Sequence, residues 1–200
     1  MLVFVLNAGS SSLKYQLIDA QTTEVKASGL VERIGIDGIL KHEIGENKKL
    51  SFELPIPTHK EAIELVLRIL TNDETKVIDS ISEIEAIGHR VVHGGEYFKE
   101  STLIDEDVIK KIEELVPLAP LHNPAHLLGI KICRELMPTV PNIATFDTAF
   151  HQTMPEENFL YAVPYGDYTE HHLRKYGFHG TSHYYVSNEA VKLLNKKDSK

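Results

Sequence analysis

The chain has 200 residues, 42% hydrophobic and 25% charged, the composition of an ordinary globular protein. Its 21 basic and 29 acidic residues leave a net charge of -8. Such a surface repels nucleic acid and anionic membranes, so an anionic ligand must be held by a local cationic site.

The single cysteine, Cys133, supplies no disulfide framework, and the chain reads as intracellular and cytoplasmic. Cys133 lies in the apolar-rich run 130–136 and is expected to fill core rather than react. No apolar run approaches the ~20 residues of a membrane span. The apolar start, Met1–Leu6, is short and lacks a basic leader, so it reads as a strand rather than a signal peptide.

In chain order, Leu2–Leu6 predicts a buried strand and Asn7–Ser12 a tight polar turn. Strands are expected over Leu13–Ala20 and Glu24–Ile34, turned at Gln21-Thr22-Thr23, then near Ile39–Ile44 and Leu50–Leu54. Asp37-Gly38 and Glu46-Asn47 mark the intervening turns, so the first 55 residues predict an antiparallel meander.

After Pro55 and Pro57, Thr58 with Glu61 predicts a capping box, followed by helical spacing at Ile63, Val66, Leu67 and Leu70. Glu85–Val92 reads as a buried strand, Asp105–Val116 as a helix, and Asn123-Pro124 as the cap and first residue of a helix to about Leu136. A strand over Ile143–Phe146 follows. Residues 155–178 read as irregular, with a short helix near Thr169–Lys175, and a final helix is expected from about Thr181 to Asn195. This order predicts an α/β fold, a mixed sheet with flanking helices. The polar end, Asn195–Lys200, directly follows a helix and suggests that the chain continues.

Five segments carry candidate chemistry. In Asn7-Ala8-Gly9-Ser10-Ser11-Ser12-Leu13-Lys14, glycine permits close approach to an anion, three hydroxyls can donate, and Lys14 adds a cation. The alternative is a serine-rich hairpin turn, and the segment is not a Walker A loop. In Gly88–Gly95, strand alternation puts Arg90 and Val92 on one side, with His89, Val91 and His93 on the other. Arginine in a buried strand calls for an anion, either a ligand or an internal carboxylate. His89 and His93 would lie roughly 13 Å apart on a strand, too far to share a metal.

The prolines of Leu118–Pro124 fix the position of His122, which could donate to a phosphate or simply pack the loop; His126 reads as structural. Asp147, after a strand, could orient a nucleophile or hydrated magnesium, or make an Asx turn or a helix cap. In Tyr176–His183, glycines flank Phe178-His179 and permit close backbone approach to a ligand, so His179 could donate to a transferring phosphoryl group; the alternative is a plain loop before a helix capped by Thr181 or Ser182, to which His183 belongs.

Together and in order, Asn7–Lys14, Gly88–Gly95, Ala119–Pro124, Phe146–His151 and Tyr176–His183 resemble the acetate kinase (acetokinase) family. The Ala-Pro-Leu-His-Asn-Pro segment favours acetate and propionate kinases over butyrate kinases. The resemblance implies the sugar kinase, heat-shock protein and actin type of fold, with a ribonuclease H-like core. It implies a first domain over residues 1–150 and the start of a second over 151–200.

By matching position, Asn7 resembles the magnesium-site asparagine, and Ser10, Ser12 and Lys14 the phosphate-loop residues that bind ATP. Arg90 resembles the arginine that holds acetate, with Val92 and Leu121 around the methyl group. His122 and His179 resemble histidines near the transferring phosphoryl group, and Asp147 the catalytic aspartate. Magnesium, ATP and ADP, acetate, acetyl phosphate and a homodimer are the implied cofactors and partners.

A full family member is about twice this length, and its second half supplies most of the adenosine pocket, a second arginine and an acidic magnesium ligand. The isolated chain is therefore not expected to be a competent kinase. Propionate or another short-chain acid as substrate, and an inactive phosphate-binding module, are the rival readings; a histidine-rich metal hydrolase is a third. All of this depends on Arg90 facing the Ser10–Lys14 region across a shared gap rather than being locked into an internal ion pair.

Overall fold

The computed structural model describes residues 1–45 and 48–196. The turn expected at Glu46-Asn47 lies outside the described residues. Among the described residues one mixed sheet of eight strands is formed, ordered β5-β4-β3-β2-β1-β6-β8-β7. The strands are β1 Leu2–Ala8, β2 Leu13–Asp19, β3 Glu24–Glu32, β4 Ile39–Ile44, β5 Lys48–Glu53, β6 Ile84–Val91, β7 Thr102–Leu103 and β8 Asn142–Phe146.

The expected meander is present: each neighbouring pair from β1 to β5 is antiparallel. β6 then pairs parallel to both β1 and β8. The two-residue edge strand β7 was not anticipated, being too short to show alternation.

The helices are α1 His59–Thr71, α2 Glu106–Glu114, α3 Asn123–Leu136, α4 Glu156–Phe159, α5 Tyr165–His171 and α6 Gly180–Leu193. The helical spacing of α1 buries Ala62, Ile63, Val66, Leu67 and Leu70 as one stripe. α1 and α3 cover one face of the sheet, where Phe4, Leu6, Leu13, Leu17, Leu40, Ile63, Leu70 and Ile87 form an apolar core. A second cluster joins α2 and α3 to Val91, Phe98, Ala144 and Phe146, with the rings of Phe98 and Phe146 stacked 4.1 Å apart. Cys133 is fully buried in the first core, and burial pushes its thiol up to about 12.

Thr58 caps α1 by accepting from the Lys60 amide, and its hydroxyl meets the Glu61 carboxylate. A reciprocal capping box instead stands at Ser80 and Glu83, on a single 3-10 turn entering β6. The helix expected near Thr169–Lys175 lies earlier, over Tyr165–His171. Pro164 precedes it, and His172, with φ of 52°, ends it in a left-handed cap. Asp105 caps α2 as the acidic first turn suggests. Among the described residues no helix is long and apolar enough to cross a membrane.

Candidate active site

The parallel strands β1, β6 and β8 end together, and ligands bind outside the carboxyl ends of such strands. Alternation along β1 buries Phe4, Leu6 and Ala8 against the helices, so Val5 and Asn7 face the other side. Asn7 pairs with Lys14 across the β1–β2 ladder, and side chains of an opposed pair share a face. The β1–β6 ladder ends at Leu6 opposite His89, so Arg90 stands level with Asn7 on the adjacent strand. Arg90 and Lys14 are thus two strand spacings apart, about 10 Å.

The turn between β1 and β2 is tight. Gly9 donates to the Ser12 carbonyl at 2.8 Å, and a Cβ on Gly9 would approach Ser12 Oγ to 2.8 Å. The close approach that Gly9 allows is therefore to Ser12. His59, in the first turn of α1, pins the turn by donating from Nε2 to the Gly9 carbonyl at 2.7 Å. Sequence reasoning gave His59 no role; only its 50-residue separation from the turn, closed by the fold, reveals one. Ser10 and Lys14 are exposed and Ser12 is half-buried. Asn7 and Lys14 line a depression of about 450 Å³ with Gln16, Ser28, Lys41 and Glu43.

A separate cleft of about 460 Å³ brings together six of the candidates: Arg90, Val92, Leu121, His122, Asp147 and His179. The ion pair left open for Arg90 is made, and its partner is another candidate. Arg90 Nε donates to Asp147 Oδ1 at 3.0 Å and Nη2 to Oδ2 at 2.7 Å. This bidentate contact favours the charged guanidinium more than its partial burial opposes it. The Asp147 side chain is 3% exposed but that of Arg90 is 38% exposed, so the guanidinium keeps an open flank toward the cleft. Asp147 makes this pair rather than the Asx turn or helix cap also considered. Val92 is buried in the cleft wall, whereas Leu121 is 80% exposed and bounds the cleft only on one side.

His122 sits exposed at the amino end of α3. The expected cap by Asn123 is not made. Its buried amide instead accepts from the His93 amide at 3.2 Å and donates to the His93 carbonyl at 3.1 Å. An Asn side chain matches a peptide group with one donor and one acceptor, and this clasp fixes α3 to the end of β6.

His93 packs edge-on against Tyr176 at 4.5 Å and Phe178 at 5.6 Å, and burial lowers its pKa to about 4. His89 points to the opposite side of β6 from Arg90; its Nε2 meets Asn142 Oδ1 at 2.7 Å, and burial lowers it to about 4. Among the described residues no three His, Cys, Asp or Glu side chains are grouped to hold a metal ion.

His179 is set by two glycines. Gly177, with φ of 67°, passes so close to His151 that a Cβ would come within 2.7 Å of its ring, and His151 Nε2 donates to the Phe178 carbonyl at 2.9 Å. Gly180 donates to the Asp147 carbonyl at 2.8 Å, where a Cβ would approach that oxygen to 2.3 Å. This contact satisfies an early amide of α6, and neither Thr181 nor Ser182 caps the helix; His179 occupies the cap position with φ of 54°.

The buried residues Asn123 and Thr148 complete the frame, with the Gly94 amide donating to Thr148 Oγ1 at 3.0 Å. Glu96 gathers Arg174 at 2.7 Å, Tyr168 at 3.0 Å and His172 at 3.2 Å, fastening residues 165–176 to the end of β6. Neither set was legible in sequence, because each joins residues far apart in the chain.

The acetokinase family model matches residues 2–200. The chain is 55% identical over 198 residues to an acetate kinase of Thermotoga maritima, covering 98% of this chain and 49% of that protein. It is 57% identical over 197 residues to an acetate kinase of Clostridium beijerinckii, again 98% and 49%. The crystal structure of Porphyromonas gingivalis acetate kinase aligns with a TM-score of 0.93 at 46% identity, over 98% of this chain and 49% of that one. That of a propionate kinase from Francisella tularensis aligns at 0.92 and 42%, over 99% and 50%. The chain therefore spans about half the length of these relatives. Its sheet and helices have the actin-like fold of these kinases, and the chain belongs to the acetokinase family.

Proposed function

We propose that this chain, within a protein of its relatives' length, is part of an acetate kinase that moves the γ-phosphoryl group reversibly between ATP and acetate, giving acetyl phosphate and ADP. The observation that carries this reading is the guanidinium of Arg90, paired to Asp147 on one side and open to the cleft beside Val92 on the other. A planar fork beside a small apolar wall suits a short carboxylate.

Acetate has a pKa near that of a Glu side chain, ~4.3, and is ionised at neutral pH, so the nucleophile needs no general base. Catalysis then rests on position and charge. Arg90 holds the acetate, and Val92 and Leu121 flank its methyl group. Ser10, Ser12 and Lys14 hold ATP phosphates, while His122 and His179 donate to the transferring group. Asp147 orients Arg90.

Asn7 offers a hard oxygen atom that suits magnesium, which is held by few protein ligands together with phosphates and water, whereas both carboxylate oxygens of Asp147 are taken by Arg90. When bound, magnesium neutralises charge on the phosphate oxygens. Transfer is direct and in line, with inversion at phosphorus; retention would contradict it.

In this reading residues 1–150 form the first domain and 151–200 begin the second, in a cytoplasmic homodimer. Propionate is the second candidate substrate, favoured by the likeness to a propionate kinase and by the open side of the cleft at Leu121. The test is kcat/KM for both acids in the full-length protein with ATP and magnesium. Acetate is expected to lead, within the about 10–200-fold that one methylene commands. A lead for propionate shifts the substrate, and no acyl phosphate from either acid overturns the reading.

A further inference from the structure

Beneath the cleft, His126 is an anomaly. It lies on the buried side of α3, 4% exposed, and neither ring nitrogen has a hydrogen-bond partner. Such groups are costly to bury unsatisfied. Its ring stacks 6.5 Å from that of His122, one helical turn away, and its amide donates to the His122 carbonyl at 3.2 Å. Three residues on, Gly129 brings α3 so near β1 that a Cβ there would come within 3.2 Å of Ala8 Cβ.

His126 therefore stands between two parts of the proposed site. On one side the backbone of Ala8, where the Asn7–Lys14 turn begins, is near enough to act on the ring but outside well-formed hydrogen-bond geometry; on the other are His122, on whose ring it stacks, and the charges of Arg90 and Asp147. Burial foremost, then the charge of Arg90, lowers its pKa to about 4, so at neutral pH the ring carries one donor and one acceptor.

We infer that His126 is a positioning residue that couples the phosphate turn to the carboxylate cleft, its ring completing a hydrogen bond to the Ala8 carbonyl when both are occupied. A group left unsatisfied in one state and paired in another biases the equilibrium toward the second. The inference rests on the functional reading above, because it needs two ligands that meet at this point. It gives His126 no contact with either of them.

The experiment measures acetate binding calorimetrically in the full-length protein, with and without saturating magnesium-ADP, in wild type, His126→Leu and His126→Gln. In the wild type the nucleotide is expected to tighten acetate about fivefold or more, within the usual range of coupling between sites. His126→Leu should bind each ligand alone with near wild-type affinity and lose the coupling. His126→Gln, which keeps a neutral donor and acceptor, should restore part of it; a purely packing role would favour Leu over Gln.

The ring nitrogens of 15N-histidine-labelled wild type should also shift on forming the ternary complex. That readout holds even if a variant fails to fold. Wild-type coupling retained in His126→Leu, or unmoved His126 nitrogens, overturns the inference. Failure of the wild type to bind acetate or ADP at all overturns instead the functional reading on which it rests.

Discussion

Two buried regions of this molecule are built on opposite principles. Under β1–β4, the face covered by α1 and α3 is filled by side chains such as Phe4, Leu17, Ile63 and Leu70, each fully or almost fully buried. At the carboxyl ends of β6 and β8, only a few residues away, Asp147, Asn123, Thr148, His93 and His126 are just as deeply buried. The first region gains stability from apolar surface removed from water. The second spends some of that stability on polar groups that must be matched one by one, with His126 left unmatched. Side by side, they separate what holds the sheet together from what the cleft is for.

Substitutions that affect one region and spare the other sharpen this contrast. Asp147→Asn keeps shape but removes the charge that orients Arg90. Its kcat in the full-length enzyme is expected to fall on the order of 10²–10³-fold, with a modest change in unfolding midpoint. Ile63→Ala, in the apolar core, should do the reverse: about 2–5 kcal/mol of stability lost by denaturant unfolding, with kcat preserved at a temperature where the protein stays folded. Equal activity losses for the two would erase the distinction.

Gly180→Ala tests the joint between α6 and the end of β8. The added methyl meets the Asp147 carbonyl oxygen, so the two segments must part. A cost of about 1–3 kcal/mol is expected. Because His179 and Asp147 are both displaced, kcat should fall further than stability alone explains.

The buried histidines add a pH dependence. His89, His93 and His126 are buried with pKa lowered from 6.5 to about 4. Below about 6.5 the unfolded chain takes up protons that the folded chain refuses, so stability falls as pH drops from about 6.5 toward 4, and these groups add nothing further below that. Each contributes at most about 1.4 kcal/mol per pH unit. Replacing His89 by Gln should flatten that part of the acid limb in denaturant titrations at stepped pH.

Much of the frame was legible because it rests on local patterns. Apolar alternation and turn residues marked the meander, and helical spacing after Thr58 marked α1. The departures have physical causes. β7 is two residues long and exists because β8 offers it an edge. Asn123 gave up its expected capping role because a buried peptide at His93 claimed both ends of its amide. α5 began earlier than expected because its short, exposed turns carry little apolar periodicity, and Pro164 set the start instead.

The candidate residues themselves were found from short motifs, yet their grouping was not. Sequence separated Arg90 from Asp147 by 57 positions and left each with a bland alternative; the fold made each the other's partner.

By itself, then, the sequence determined the order of the longer strands and helices, though not the short β7 and α4, and the residue types that carry charge and hydrogen bonds, since these follow from spacing along the chain. Only the tertiary structure decided that β6 runs parallel between β1 and β8, and hence that Asn7 and Arg90 share a face. It also decided that His59 pins the first turn and that His126 is sealed beneath the cleft without a partner. The reason is that burial and pairing are properties of residues distant in sequence, and no local pattern records which surfaces will meet.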